Sequence, residues 1–183
     1  MNRFFLSDHH LRHKNIYSFL GVNGQRIRPW AEKAEESDEM MVEAHNRVVR
    51  PGDTVYFLGD VAISAKGLDI LPRMNGRKVL IRGNHDIFKM KQYAPHFADI
   101  RATHLIEKVI FSHYPLHPGS LPGWCLGNAH GHTHEKPVLG TDGAPDPRYL
   151  NLCVEAVGLE PLRFEEVVAR LTAAQDPGPD VSL

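Results

Sequence analysis

Five short apolar runs, each ending abruptly in a cluster of polar side chains, constrain this chain more than any other feature. Phe4-Phe5-Leu6 runs into Ser7-Asp8-His9-His10, and Thr54 to Leu58 runs into Gly59-Asp60. Lys78 to Ile81 leads to Gly83-Asn84-His85-Asp86, and Val109 to Phe111 leads to Ser112-His113. A last run, Leu126 to Ala129, precedes His130-Gly131-His132-Thr133-His134. Runs this short and this apolar suit strands buried on both faces. Between the first two, Ser37 is placed to cap a helix with Asp38 and Glu39 in its first turn. Met40, Ala44 and Val48 would share one face of it, and Pro51-Gly52 would stop it. Phe164, Val167, Val168 and Leu171 recur at i, i+3, i+4 and i+7, the spacing of a helix with one face on the core. Strands alternating with helices imply an α/β layered fold, in which ligands bind outside the carboxyl ends of the strands.

Composition narrows the class of protein. With 183 residues, 42% of them apolar, the chain can bury a sizeable core. A single domain over residues 1–174 is expected, followed by a flexible tail, 175–183, rich in Pro, Gly and Asp. No apolar run approaches the length of a membrane span. The opening Met-Asn-Arg-Phe-Phe-Leu-Ser-Asp turns polar too soon for a secretory signal, so a cytoplasmic location is expected. Lys and Arg number 21 against 22 Asp and Glu, a balance that offers no basic field for strong non-specific nucleic-acid binding. Cys125 and Cys153 have no metal-type spacing and read as reduced thiols. The informative count is twelve His, eight of them in the segments around residues 9–13, 85, 113 and 130–134.

Each cluster alone has an ordinary reading. Gly59-Asp60 can be a turn, Asn84 or Asp86 a helix cap, and His113 a satisfied core histidine. Together they gather Asp, Asn and several His at one sheet edge, where unpaired polar groups would be costly and metal ions would satisfy them. Nitrogen and carboxylate ligands without thiolate suit Mn²⁺, Fe, Zn²⁺, Co²⁺ or Ni²⁺ rather than an all-oxygen Mg²⁺ or Ca²⁺ cage. Seven candidate ligands exceed one tetrahedral site and match two metals sharing a carboxylate. Such a pair, about 3.5–4 Å apart, is the clamp used for in-line displacement at phosphorus.

In their order and spacing these blocks resemble the calcineurin-like metallophosphoesterases. That family's pattern is Asp-x-His, Gly-Asp, Gly-Asn-His-Asp/Glu, a lone His and Gly-His-x-His. It stands here as Asp8-His9-His10, Gly59-Asp60, Gly83 to Asp86, His113 and Gly131 to His134. Ser7 to Ile16 is also similar to the opening of a small bacterial and phage branch, and Arg28-Pro29 and Tyr149 to Val168 continue the likeness. The resemblance implies a four-layer sandwich of two mixed β-sheets flanked by helices. It implies two divalent ions, Mn²⁺ foremost, one held by Asp8, His10, Asp60 and His134. Asp60 would bridge to the second, held also by Asn84, His113 and His132. A hydroxide bridging the metals would attack a phosphodiester or small phosphomonoester, a small molecule or nucleotide. His85 would protonate the leaving oxygen, while Asp86 would orient its ring.

Arg12 and His13 are candidates to touch the substrate phosphate, with surface solvation the ordinary alternative. His9 and His130 are expected off the metals. An amidohydrolase-like reading of His130-x-His132-x-His134 fails, because no His and no suitable acidic cluster follows. Two alternatives stay open: a binding scaffold that kept the fold and lost the chemistry, and a small nuclease acting on oligonucleotide ends.

Overall fold

The computed structural model describes residues 1–176. All five apolar runs are strands, each within one residue of its expected limits. In chain order the described elements are β1 (Arg3–Leu6), α1 (Ala34–Val48), β2 (Thr54–Phe57), α2 (Ala65–Leu68), β3 (Arg77–Ile81), α3 (Met90–Tyr93) and β4 (Asp99–Arg101). There follow β5 (Thr103–Ile106), β6 (Val109–Ser112), β7 (Gly127–His130), β8 (Tyr149–Asn151), α4 (Val154–Val157), β9 (Leu162–Arg163) and α5 (Phe164–Gln175). Two mixed sheets result. One has the order β4-β3-β2-β1-β9, parallel except for β9; the other has the order β5-β6-β7-β8, parallel except for β5.

Alternation along the strands separates two cores. Phe5 points between the sheets and stacks on Phe111 of the second sheet at 4.0 Å between ring centroids, with Leu58, Ile81 and Ala129 around them. Phe164, Val167 and Leu171 bring α5 onto this core as the spacing predicts, with Val168 only partly covered. Phe4, Val55, Phe57 and Leu80 face the opposite way and pack against Met41 and Val42 of α1. Both faces of the first sheet are therefore buried, which is why its strands read as unbroken apolar runs.

Two expectations about α1 are corrected. The helix begins at Ala34, a turn before the expected cap, because Glu35 and Glu36 favour helix and complement its N-terminal dipole. Ser37 sits inside it, buried, and accepts a hydrogen bond from Trp30 Nε1 at 3.1 Å. The buried face runs through Ala34, Ser37, Met41, Val42 and His45, while Met40 and Val48 are only partly covered. Pro51-Gly52 lies just beyond the end, as expected. The proposed tail falls mostly outside the described residues; Gln175, its first residue, is the last of α5. Among the described residues no helix is long and apolar enough to cross a membrane.

Candidate metal centre

The carboxyl ends of β1, β2, β3, β6 and β7 meet at one edge, where the two sheets are tied by backbone hydrogen bonds. Ser7 N–H, following β1 of the first sheet, donates to Leu152 O at 2.9 Å, and Val154 N–H donates to Ser7 O at 3.2 Å. The loops leaving these strands are unusual. Asp8, His10, Asp60, His132 and His134 all have left-handed backbone, with φ between 50° and 69°. For side-chain-bearing residues this costs of order 1 kcal/mol or more each, and it turns Asp8 and His10, and likewise His132 and His134, toward the common edge. Motif glycines make room: a Cβ on Gly131 would overlap Ser7 Oγ and Asp8 Oδ2, and one on Gly59 would lie 2.5 Å from His113 Nδ1.

Two groups of side chains result. Asp8, His10 and His134 form one, and Asp60, His113 and His132 the other; within each, ligand-type atoms lie within 4.8 Å of one another. The Asp60 carboxylate stands between them. Its Oδ2 is 3.6 Å from His10 Nε2, and its Oδ1 is 3.5 Å from His113 Nε2. Asn84 Oδ1 joins the second group, 2.9 Å from His113 Nε2. The first group's Asp8 Oδ1 lies 3.6 Å from His10 Nε2 and 4.0 Å from His134 Nε2.

The donor set fits divalent cations. Asp8 Oδ1 and His10 Nε2 are buried without a hydrogen-bond partner, a cost that a cation between them would remove. Asp8 Oδ2, by contrast, is saturated by Ser7 Oγ at 2.6 Å, His132 N–H at 2.8 Å and Cys153 Sγ at 3.2 Å. Burial opposes ionisation of Asp8, yet the imidazoles of His10, His113 and His134 hold its carboxyl far below the usual range. Burial also drives His10 down to about 4, against the pull of Asp8, so the ring is neutral at pH 7 as a ligand must be.

Sequence reasoning missed the support behind this centre. Arg28, fully buried, donates from Nε to Glu155 Oε1 at 2.7 Å, from one terminal nitrogen to His9 O at 2.8 Å and from the other to Asp8 O. Glu155 Oε1 lies 3.1 Å from His134 Nδ1, leaving Nε2 to face Asp8. Burial works against protonation of His134, but Glu155 and Asp8 raise its pKa. Tyr114 was also missed; its ring packs edge-on against His132 at 4.6 Å.

His85 projects on the open side, its side chain 51% exposed, with Nε2 4.0 Å from Asp60 Oδ2 and its ring edge-on to His10 at 5.3 Å. Its backbone N–H donates to Asp60 Oδ1 at 2.8 Å. The expectation that Asp86 orients the His85 ring is corrected. Its buried carboxylate accepts instead from the backbone N–H groups of Asp60, Val61 and Gly83 at 2.8–3.1 Å, so it shapes the loops carrying Asp60 and Asn84. Arg12 is corrected too. Its guanidinium pairs with Glu35 at 2.9 Å and Asp38 at 3.3 Å, carboxylates of α1 that hold it on the helix. His13 stays close, its ring 5.5 Å from that of His10. His9 is buried against Phe57, and His130 lies 2.8 Å from Gly131 O; neither belongs to either group.

No family model matches the chain. It is 30% identical over 174 residues to the uncharacterized protein MJ1445 of Methanocaldococcus jannaschii, an alignment spanning 90% of this chain and 88% of that one. The chain belongs to the MJ1445 family. Gene 66 protein of Mycobacterium phage L5 is 39% identical over 90 residues, which are 46% of this chain and 40% of the phage protein. Among solved structures, the Aquifex aeolicus protein of unknown function AQ665 superposes with a TM-score of 0.66 at 24% identity, covering 91% of this chain and 97% of that one. The MJ1445-family chain and AQ665 thus share a fold.

Proposed function

We propose that the protein is a metal-dependent phosphoesterase with a dinuclear centre, hydrolysing a phosphodiester or small phosphomonoester. The observation that carries this reading is Asp60, whose two carboxylate oxygens face two separate Asp/His groups. Asp8, His10, Asp60 and His134 would hold one ion, and Asp60, Asn84, His113 and His132 the other. Two such ions, Mn²⁺ by the resemblance, supply charge neutralisation at phosphoryl oxygens and acidify water.

The chain's own residues do the rest. Asp8 and Asp60 bring only two carboxylates to the pair, which leaves the pocket positive and suited to a phosphate ester. The left-handed loops hold the ligand rings in place before substrate arrives, so little reorganisation remains for the reaction. His85 gives a proton to the leaving oxygen, a role that suits its exposed position over Asp60 and is worth about 10²–10⁴-fold. His13, whose ring lies 5.5 Å from that of His10, would contact the substrate phosphate.

The test is hydrolysis of bis-p-nitrophenyl phosphate and p-nitrophenyl phosphate after chelation and re-addition of Mn²⁺. Cleavage that disappears with the metal and returns with it is the expected result, and the ratio of the two rates separates diester from monoester chemistry. Silence toward both substrates by protein that has taken up no metal would overturn the reading in favour of a scaffold.

A further inference from the structure

Beside the centre opens a groove of about 630 Å³, lined by Phe19, Leu20, Ile27, His132, His134 and Pro137 among others. One His from each metal-type group reaches it, so it is continuous with the chemistry. Its other side is apolar and wet: Phe19 is 46% and Leu20 65% exposed. These two side chains sit on a small hairpin, in which Leu20 pairs with Arg26 and Gly21 N–H donates to Gln25 O at 2.8 Å. Glu135 fastens it, accepting from Val22 N–H at 2.6 Å with its carboxylate lying against Gly21, where a Cβ would displace it. The carboxylate is thereby spent on backbone, and Lys136 is the remaining charged side chain along the groove. Phe19 packs edge-on against His13 at 5.7 Å, and His13 lies against His10, so two ring contacts join the apolar wall to a metal ligand.

A hairpin pinned in place thus holds two large apolar side chains open to solvent beside a polar centre, where an apolar part of a ligand would be covered. The groove's volume falls within the usual range for small-molecule sites, which are mostly apolar with a few polar groups fixing orientation. An ester of a small polar alcohol would leave Phe19 and Leu20 wet. We propose that the groove is a subsite for a planar, aromatic-sized substituent on the substrate phosphate, a nucleobase or an aryl group. The proposal rests on the phosphoesterase reading above, and names the part of the substrate that the reading leaves open. Phe19 and Leu20 are then specificity-determining residues, with the phosphate over the metals and the ring against the hairpin.

The experiment measures calorimetric affinities of the Mn²⁺-loaded protein for three non-hydrolysed probes: methylphosphonate, phenylphosphonate and the 5′-methylenephosphonate of thymidine. Phenylphosphonate should bind about tenfold or more tighter than methylphosphonate, the gain from covering one ring's worth of apolar surface. Phe19→Ala should narrow that ratio to about twofold, and Leu20→Ser, at the more exposed position, should narrow it independently. Leu139→Ser, an exposed apolar site outside the groove, should leave the ratio as it is. Thymidine phosphonate binding above phenylphosphonate assigns the subsite to nucleobases; binding at or below it assigns simple aryl groups. Equal affinity for the methyl and phenyl probes, or a ratio untouched by both groove variants, would overturn the proposal. The nitrophenyl assays run alongside: a phenyl preference in protein that takes up no Mn²⁺ and hydrolyses neither ester would sink the phosphoesterase reading and support the subsite alone.

Discussion

Among the described residues Arg28 is the largest fully buried side chain, and its hydrogen-bond partners lie at the candidate metal centre: Glu155 and the backbone carbonyls of Asp8 and His9. Glu155 in turn faces His134. This arrangement fixes the left-handed Asp8 loop and one imidazole at once, and a ligand's supporting partner is commonly worth 10–100-fold in metal affinity. Glu155→Gln keeps an acceptor but removes the charge. Its affinity for Mn²⁺, titrated calorimetrically, should fall by roughly that factor, and unchanged affinity would remove the positioning role. His85 makes the opposite prediction. As it stands off both ligand groups, His85→Ala should keep both ions while turnover drops by about 10²–10⁴-fold. The loss should be smallest for acidic leaving groups such as nitrophenol; equal losses across leaving groups would argue against proton donation. The ligand-type residues were legible because each cluster directly follows a strand end, and these strand ends share one edge; the left-handed loops then turn the side chains together. The pairing of Arg28 with Glu155 was not, since the two stand 127 positions apart in the chain and the likeness at each segment carries no sign of their contact. Asp86 was misread for a related reason: adjacency to His85 suggested a contact with its ring, whereas three backbone donors surround its carboxylate.

At the level of elements, the strands that carry the site were legible and the edge strands were not. β4, β5, β8 and β9 are two to four residues long and partly exposed, so neither an apolar run nor a clean alternation marks them. α1 shows how burial can mislead periodicity: its inward face includes Ser37, Asp38 and His45, polar residues that an apolar-stripe search skips. His45 lies 2.9 Å, through Nε2, from Asn75 O at a buried position, and burial lowers its pKa to about 4. In the unfolded chain the ring titrates near 6.5, so between those values the unfolded state binds more protons. The contribution of a neutral His45 is therefore intact above about pH 6.5 and is lost as pH falls toward 4. His45→Gln retains a donor for the Asn75 carbonyl and should remove about 2 kcal/mol of the stability lost between pH 7 and 5. Urea unfolding of both proteins at the two pH values measures the difference; parallel slopes would show that His45 does not contribute.

For the molecule as a whole, each metal-type group draws on both sheets. Asp8 and His10 follow β1 of the first sheet, while His134 follows β7 of the second; Asp60 follows β2, while His113 and His132 follow β6 and β7. The centre is thus a seam as well as a site. Asp8 Oδ1 and His10 Nε2, buried at this seam without a hydrogen-bond partner, would be satisfied by a cation. Binding to the folded state alone stabilises it by about 4 kcal/mol when free metal is a thousandfold above its dissociation constant. In a chain of this size that corresponds to a rise in Tm of roughly 10 °C, read by calorimetry with and without Mn²⁺. Asp60→Asn tests whether the seam is one unit. Removing the single charge that faces both groups should reduce the metal-dependent rise to a small fraction of its wild-type size, along with bound stoichiometry. His85→Ala should preserve the rise. A full shift in the Asp60 variant would mean that the two groups bind independently, and that the carboxylate between them holds neither.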